Sequence, residues 1–411
     1  MNYFDPYPLC VDESVTTAWK SQLAEAESTP WLAQTLVGRA SEIFPRFVTA
    51  YMNLRSLPRG VRRSIQRRLA RSRYVIERAP EWLKRREGRR LRYKLASSLA
   101  GAALLLALGQ NVQAATITVT TNKPGIKDGD NKCSLIEAII NANNDAATHS
   151  DCAAGSGTDM IVLPPGSTHM LTGSFTNYHG YTGLPVISSS ITITGNGSKI
   201  TRKKSKLLNR LVAVASTGDL SLDNVTLSNG VESYGGAVYN RGTITITNST
   251  ISGNRSNYGG GVFTFGGTIT VTNSTISGNT AARYGGGVVS HGTLTLNQSL
   301  ISGNKARTGP EIDSSGGVTA DDFNLFGSNG DGGITGFTPG ASDIVPVPGV
   351  RITNIVAKLA NNGGPTVTHA LVPGSPALDA IPGADPGCTG NDQRGMPRPQ
   401  GTGCDIGAFE K

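Results

Sequence analysis

Tyr234, Tyr258 and Tyr284 recur at spacings of 24 and 26 residues, each directly before a pair of glycines. Aromatic rings repeated at a fixed interval offer flat apolar faces to sugar rings, so these three are the candidate ligand-binding residues. Glycans or other cell-envelope components are the partner class they imply. The same column would also stabilise neighbouring turns of chain by stacking alone.

Catalysis on carbohydrate asks for something else. Glycoside hydrolysis generally needs two carboxylates facing each other across the scissile bond. Between Val231 and Asn304 the one acidic residue is Glu232, so this stretch supplies neither that pair nor a cage of carboxylates for calcium. Acids return at Glu311, Asp313, Asp321, Asp322 and Asp331, in Gly/Ser-rich chain where Asp commonly shapes turns. Asp321 and Asp322 are the candidate catalytic pair if the protein is an enzyme. Asp128 and Asp130, in Asp-Gly-Asp-Asn, are candidate ligands for a single calcium, with a polar turn as the plainer reading. The five histidines are scattered and none stands at a zinc spacing from a cysteine, so no metal cluster and no cofactor are expected.

What must position these residues is a repeat. Leu227, Ile251, Ile276 and Ile301 are 24, 25 and 25 residues apart, within NVTLSNG, NSTISGN, NSTISGN and QSLISGN. A short run alternating apolar residues with Thr or Ser precedes each: Leu220 and Leu222, Ile244 and Ile246, Ile269 and Val271, Leu294 and Leu296. That two-residue period is a strand with one buried face, too short for a helix. A third apolar column, Val238, Val262 and Val288, follows the glycines. A period in the low twenties is one turn of a solenoid, and three short strands per turn predict an all-β chain, a right-handed parallel β-helix. Asn254, Asn279 and Asn304 form one corner column; Asn224, Asn248, Asn273 and Gln298 form another. Such columns either bond amide to amide as a ladder or simply tolerate left-handed turn geometry.

Charge separates the front of the chain from the repeats. The net charge is +9, yet residues 1–94 hold 19 Lys/Arg against 9 Asp/Glu and residues 95–411 hold 19 against 20. The repeats therefore lack the electrostatic motive for binding nucleic acid. Lys84 to Lys94 is basic, Leu95 to Gly109 apolar and uncharged, and Val112-Gln113-Ala114 small, which is the layout of an export signal cut between Ala114 and Ala115. A retained signal anchor is the rival. Upstream, Val61, Ile65 and Leu69 share one face of a possible basic helix, so residues 1–94 read as a helical or disordered basic leader. Membrane contact is expected only through the leader and signal.

Cys10 lies in the leader and four cysteines follow the signal. Their even number fits two disulfides in an exported region; spacing alone leaves three pairings open. Local closure around two caps favours Cys133 with Cys152 and Cys388 with Cys404. Ser134-x-x-Glu137 is a capping box that predicts a short helix closing the first turn of the solenoid. The expected order is an N-terminal cap over residues 115–158, the β-helix over 159–345 and an irregular C-terminal cap over 346–411.

CSLIEAI at Cys133 to Ile139 resembles the CSLREA motif that opens a group of bacterial exported β-helix proteins. NNGGPTVTHALVPGSPALDA at Asn361 to Ala380, with DQRGMPRP and CDIGAFE between Asp392 and Glu410, resembles the choice-of-anchor Q type of C-terminal domain. Ile136 departs from the Arg of the first motif. The resemblance implies an exported, pectin-lyase-like solenoid and no particular catalytic site. The expectation is a monomeric, non-catalytic secreted or cell-surface protein for adhesion or carbohydrate contact. The alternative is a polysaccharide lyase or glycoside hydrolase on the same scaffold.

Overall fold

The computed structural model describes residues 114–203 and 208–411. The basic leader and the apolar stretch that the sequence suggests as an export signal lie outside them. The described chain is a right-handed parallel β-helix of about six turns, as the repeat predicts. Among the described residues no helix is long and apolar enough to cross a membrane.

The three apolar columns of the sequence are the three inward-facing ridges of the coil. On the first face, Ile191, Leu220, Ile244, Ile269, Leu294 and Val318 are in register on successive parallel strands. On the second, Ile200, Leu227, Ile251, Ile276, Ile301 and Phe326 are stacked in the same way. On the third, Val212, Val238, Val262, Val288, Ile312 and Ile334 complete the turn. Ile251, Ile276 and Ile301 are at most 1% exposed, so each rung closes over the next with no room for water. Alternation does the sorting, because Thr245, Thr270 and Thr295 point outward between buried neighbours.

The two asparagine columns take different jobs. Asn224, Asn248, Asn273 and Gln298 adopt positive φ of 56°, 45°, 47° and 50° and turn the chain from the first face to the second. Asn254, Asn279 and Asn304 are buried and form the ladder: Asn254 Nδ2 donates to Asn279 Oδ1, and Asn279 Nδ2 to Asn304 Oδ1, each at 2.9 Å. A corner residue that bonds to its equivalent one turn away satisfies buried amides which the turn cannot pair internally.

Helix α1, Leu135–Asn144, closes the first turn. Ser134 Oγ accepts from the Glu137 backbone N–H and the Glu137 carboxylate accepts from the Ser134 N–H, which is the capping box in full. Leu135, Ala138, Ile139 and Ala142 join Ile117 and Ile161 in the main core. Ile136, in the place of the motif's Arg, is 6% exposed and belongs to the same core. Strand Thr116–Thr118 pairs in parallel with Asp159–Val162, so Ala115 stands at the edge of the first rung. Cys133 and Cys152 pair at a Cα separation of 4.8 Å, and Cys388 and Cys404 at 5.4 Å. This selects one of the three pairings and fits an oxidising compartment.

The C-terminal segment runs back along the flank of the solenoid. It covers the outward residues of the second face, Thr226, Thr250, Thr275, Leu300 and Leu325, which are all at most 2% exposed. Gln393 ties this contact together: its Nε2 donates to Thr226 Oγ1 and Thr366 Oγ1, and its Oε1 accepts from Thr250 Oγ1. His369 Nε2 lies 2.9 Å from Ser252 Oγ, and Ala408 N–H donates to Thr275 Oγ1. Pro365 reaches as far as Gly197, at φ 73°, where an added Cβ would come within 2.4 Å of the Pro365 ring. The long C-terminal motif supplies the lock. Arg398 pairs with Glu410 at 3.0 Å, Arg394 pairs with Asp392 at 2.7 Å, and the Arg394 guanidinium lies 3.6 Å from the centre of the Phe409 ring.

Candidate functional site

The corner between the second and third faces brings the three tyrosines together. Asn254, Asn279 and Asn304 end the second-face strands, short strands Arg255–Tyr258 and Thr280–Tyr284 follow, and the glycines turn the chain inward again. Gly259 requires its residue type: its φ is 64° and a Cβ would sit 2.3 Å from the Val262 carbonyl. This tight turn leaves the preceding tyrosine on the rim. The rings of Tyr234 and Tyr258 stack 5.1 Å apart at 12°, and those of Tyr258 and Tyr284 stack 5.8 Å apart at 13°. Tyr234 and Tyr284 remain 41% and 42% exposed, so the stripe keeps open apolar surface after stacking.

Beneath the stripe lies an aromatic layer that the sequence reading did not identify. Tyr239, Phe263 and Val289 occupy outward positions of the third face, yet each is no more than 5% exposed. Tyr239 stacks on Phe263 at 5.7 Å, and the edge of Tyr234 meets Phe263 at 5.1 Å. The signal was present as the first residue after each valine of the Val238 column. Its outward parity in a strand argues against burial, and the cover comes from residues distant in sequence: Tyr178, His179 and Arg210 over Tyr239, and Tyr234 with His291 against Phe263.

Cations border the rings. Arg283 donates from Nη1 to Tyr258 Oη at 3.0 Å, and its guanidinium lies 5.8 Å from the centre of that ring. Arg255, Lys305 and Arg307 are also exposed on this corner, with Arg255, Thr280 and Lys305 in register. From Val231 to Pro310 the chain holds five Lys/Arg and one acid, Glu232. The Glu232 carboxylate is occupied by the Tyr181 and Ser233 backbone N–H groups at 3.0 and 2.8 Å. Towards the first turns, Arg210 is fully buried with its guanidinium 4.6 Å from the centre of the Tyr239 ring. Burial lowers its pKa to about 10 against the opposing pull of Glu232 and Tyr239. Its Nη2 donates to the His179 carbonyl, while Nε and Nη1 have no hydrogen-bond partner among the described residues.

The acidic candidates lie elsewhere. Asp321 is exposed and accepts from both the backbone N–H and the hydroxyl of Ser342, and the backbone bond leads in holding its carboxyl below the ordinary range. Asp322 is pushed up by desolvation and then by the nearby charges of Asp385, Asp343 and Asp321. Asp385 comes from the C-terminal segment, a neighbour that sequence spacing could not supply. Its Oδ1 accepts from Gln298 Nε2 and Gly387 N–H, while Asp343 accepts from Asn324 and Gly340. Asp321, Asp343 and Asp385 are thus bonded as turn and corner acceptors. Glu311 is buried at the end of the asparagine ladder and its carboxylate belongs to that ladder.

Asp128 and Asp130 part company. Asp130 Oδ1 accepts from Lys132 N–H and its Oδ2 lies 3.6 Å from Lys127 Nζ. Asp128 meets His149, 21 residues away in sequence, with Oδ1 2.7 Å from Nδ1 and Glu137 close to both.

Comparison with protein-family models, with curated proteins and with solved structures gave no match.

Proposed function

We propose that this protein is an exported, non-catalytic β-helix whose tyrosine stripe holds carbohydrate at the cell surface or outside the cell. The observation that carries the reading is the row of Tyr234, Tyr258 and Tyr284, stacked in register with their outer rings exposed. A parallel β-helix repeats one turn every ~4.8 Å, so a chain polymer lying along the axis meets an equivalent ring on each turn. Rigid aromatic faces lose little conformational freedom on binding, which favours contact with a flexible chain. Arg255, Arg283, Lys305 and Arg307 along the same edge add hydrogen-bond donors for hydroxyl or acid groups.

Export rests on the basic, apolar and small-residue order before Ala115, on the two cysteine pairs, and on the resemblance to CSLREA and choice-of-anchor Q proteins of the pectin-lyase-like type. Cell fractionation with sequencing of the mature N-terminus tests it: a chain beginning at Ala115 is expected, and a secreted chain beginning at Met1 or Met52 contradicts it.

A glycan array probed with the wild type and with Tyr258→Ala and Tyr284→Ala variants tests the stripe. Binding that falls in both variants supports the reading. Binding unaltered in both removes it.

The rival enzyme reading has one point in its favour, the gathering of Asp322 with Asp385. A panel assay for new reducing ends and unsaturated uronates decides it. Turnover that disappears in an Asp321→Asn, Asp322→Asn double variant would replace the binding reading with an enzymatic one.

A further inference from the structure

We propose that Asp128, Glu137 and His149 form a binding site for a divalent transition metal of the zinc class, which clips the N-terminal cap together. One ligand atom from each of the three residues lies within 4.8 Å of the others. Ligands around such a metal sit ~2.0–2.2 Å from it and hence ~3–4 Å from one another, so a small adjustment completes the site: the Asp128–His149 pair, now 2.7 Å apart, opens to admit the ion while Glu137 draws in. The three residues come from three separate pieces of chain: the polar turn that begins at Asp128, the first turn of α1, and the segment before Cys152.

Burial supplies the second line of argument. Glu137 is 1% exposed, and among the described residues no Lys or Arg forms an ion pair with it. Its oxygens accept from the Lys127 N–H at 2.7 Å and the Ser134 N–H at 2.9 Å. These are neutral dipoles at a helix N-terminus, which soften the desolvation of a carboxylate without supplying a counter-charge. Each carboxylate oxygen keeps a further lone pair for a cation. Asp128 adds a second carboxylate beside the same imidazole, so the group offers two oxygen ligands and one nitrogen ligand.

The main chain of His149 is anchored to α1 by Asn141. Asn141 Oδ1 accepts from the His149 N–H at 2.8 Å and Asn141 Nδ2 donates to the His149 carbonyl at 2.9 Å. Asn141 is itself fully buried in α1. That anchorage seats His149 against the helix, and its ring presents Nδ1 to Asp128 Oδ1 at 2.7 Å.

The donor set selects the metal. One imidazole nitrogen and two carboxylates suit zinc or manganese, whereas calcium takes six to eight oxygens. The Asp128 side chain is 61% exposed, which leaves the remaining position open to water. The competing arrangement is the direct Asp128–His149 hydrogen bond with no metal.

Equilibrium dialysis with elemental analysis separates the two. The full chain, stripped with chelator, is exposed to Zn2+, Mn2+ or Ca2+ alone, and its thermal midpoint is measured in parallel. Uptake of one Zn2+ per chain is expected, with a raised midpoint and no comparable response to Ca2+. Asp128→Asn, on an exposed turn where folding is not at risk, should weaken uptake at least about tenfold, and His149→Gln should abolish it. Absence of Zn2+ uptake, uptake unchanged in both variants, or a response to Ca2+ in place of Zn2+ would overturn the site.

Discussion

Asn304 donates from Nδ2 to Oε2 of Glu311 at 2.6 Å, so the column of buried asparagines ends on a buried carboxyl group. Glu311 also accepts from the backbone N–H groups of Gly303 and Asn304 at 2.9 and 3.1 Å. Desolvation outweighs these three donors and pushes its pKa up to about 8. In the unfolded chain the same group titrates near 4.5, so the folded state binds the proton more tightly. The stabilisation that this gives is complete below about pH 4.5 and is lost as pH rises towards 8. Thermal melts from pH 5 to pH 9 should show the wild type losing stability relative to Glu311→Gln, whose side chain cannot ionise. A constant difference across that range would mean that the carboxyl is ionised throughout.

Ile276 is the centre of the second-face ridge, with Ile251 and Ile301 on either side. Ile276→Asp removes burial worth ~1.5–3 kcal/mol and adds an unpaired carboxylate to the core. Thr270→Asp places the same charge on the outward side of the first face of that coil. Denaturant unfolding should show the first variant losing several times more stability, and equal midpoints would reverse the inward and outward assignments.

Tyr258 stacks against two rings and Tyr284 against one. With each aromatic pair contributing about 0.5–1.5 kcal/mol, Tyr258→Ala should destabilise the fold about twice as much through stacking as Tyr284→Ala. Calorimetry of the two variants measures this without any ligand.

Gln393 bonds to Thr226, Thr250 and Thr366, holding the C-terminal segment against the solenoid. Gln393→Leu leaves those buried hydroxyls short of partners, at a cost of about 1–3 kcal/mol. Gln400→Leu, at an exposed position, is the matched control and should change stability little. Faster proteolysis after residue 346 in the first variant alone would locate the loss in the flank contact.

Peptide mapping under non-reducing conditions should recover Cys133 linked to Cys152 and Cys388 linked to Cys404. Recovery of a crossed pair would show that the two caps are tied to each other.

The sequence by itself determined the solenoid, its three ridges, the capping box of α1 and the alignment of the tyrosines. All of these follow from periodicity. A repeat of 24 to 26 residues with two-residue alternation inside it has one economical packing, and stacking like on like then places each column without further information. Tertiary structure decided what periodicity does not encode. Tyr239 is buried because Tyr178, His179 and Arg210 close over it, Phe263 because the Tyr234 and His291 rings meet it, and Thr226 and Thr250 because a segment more than 100 residues downstream folds back on them. The meeting of Asp128 with Glu137 and His149, and of Asp322 with Asp385, depends on how irregular chain packs against the regular coil. Such contacts are set by shape and by the pairing of buried polar groups, which leave no period in the sequence.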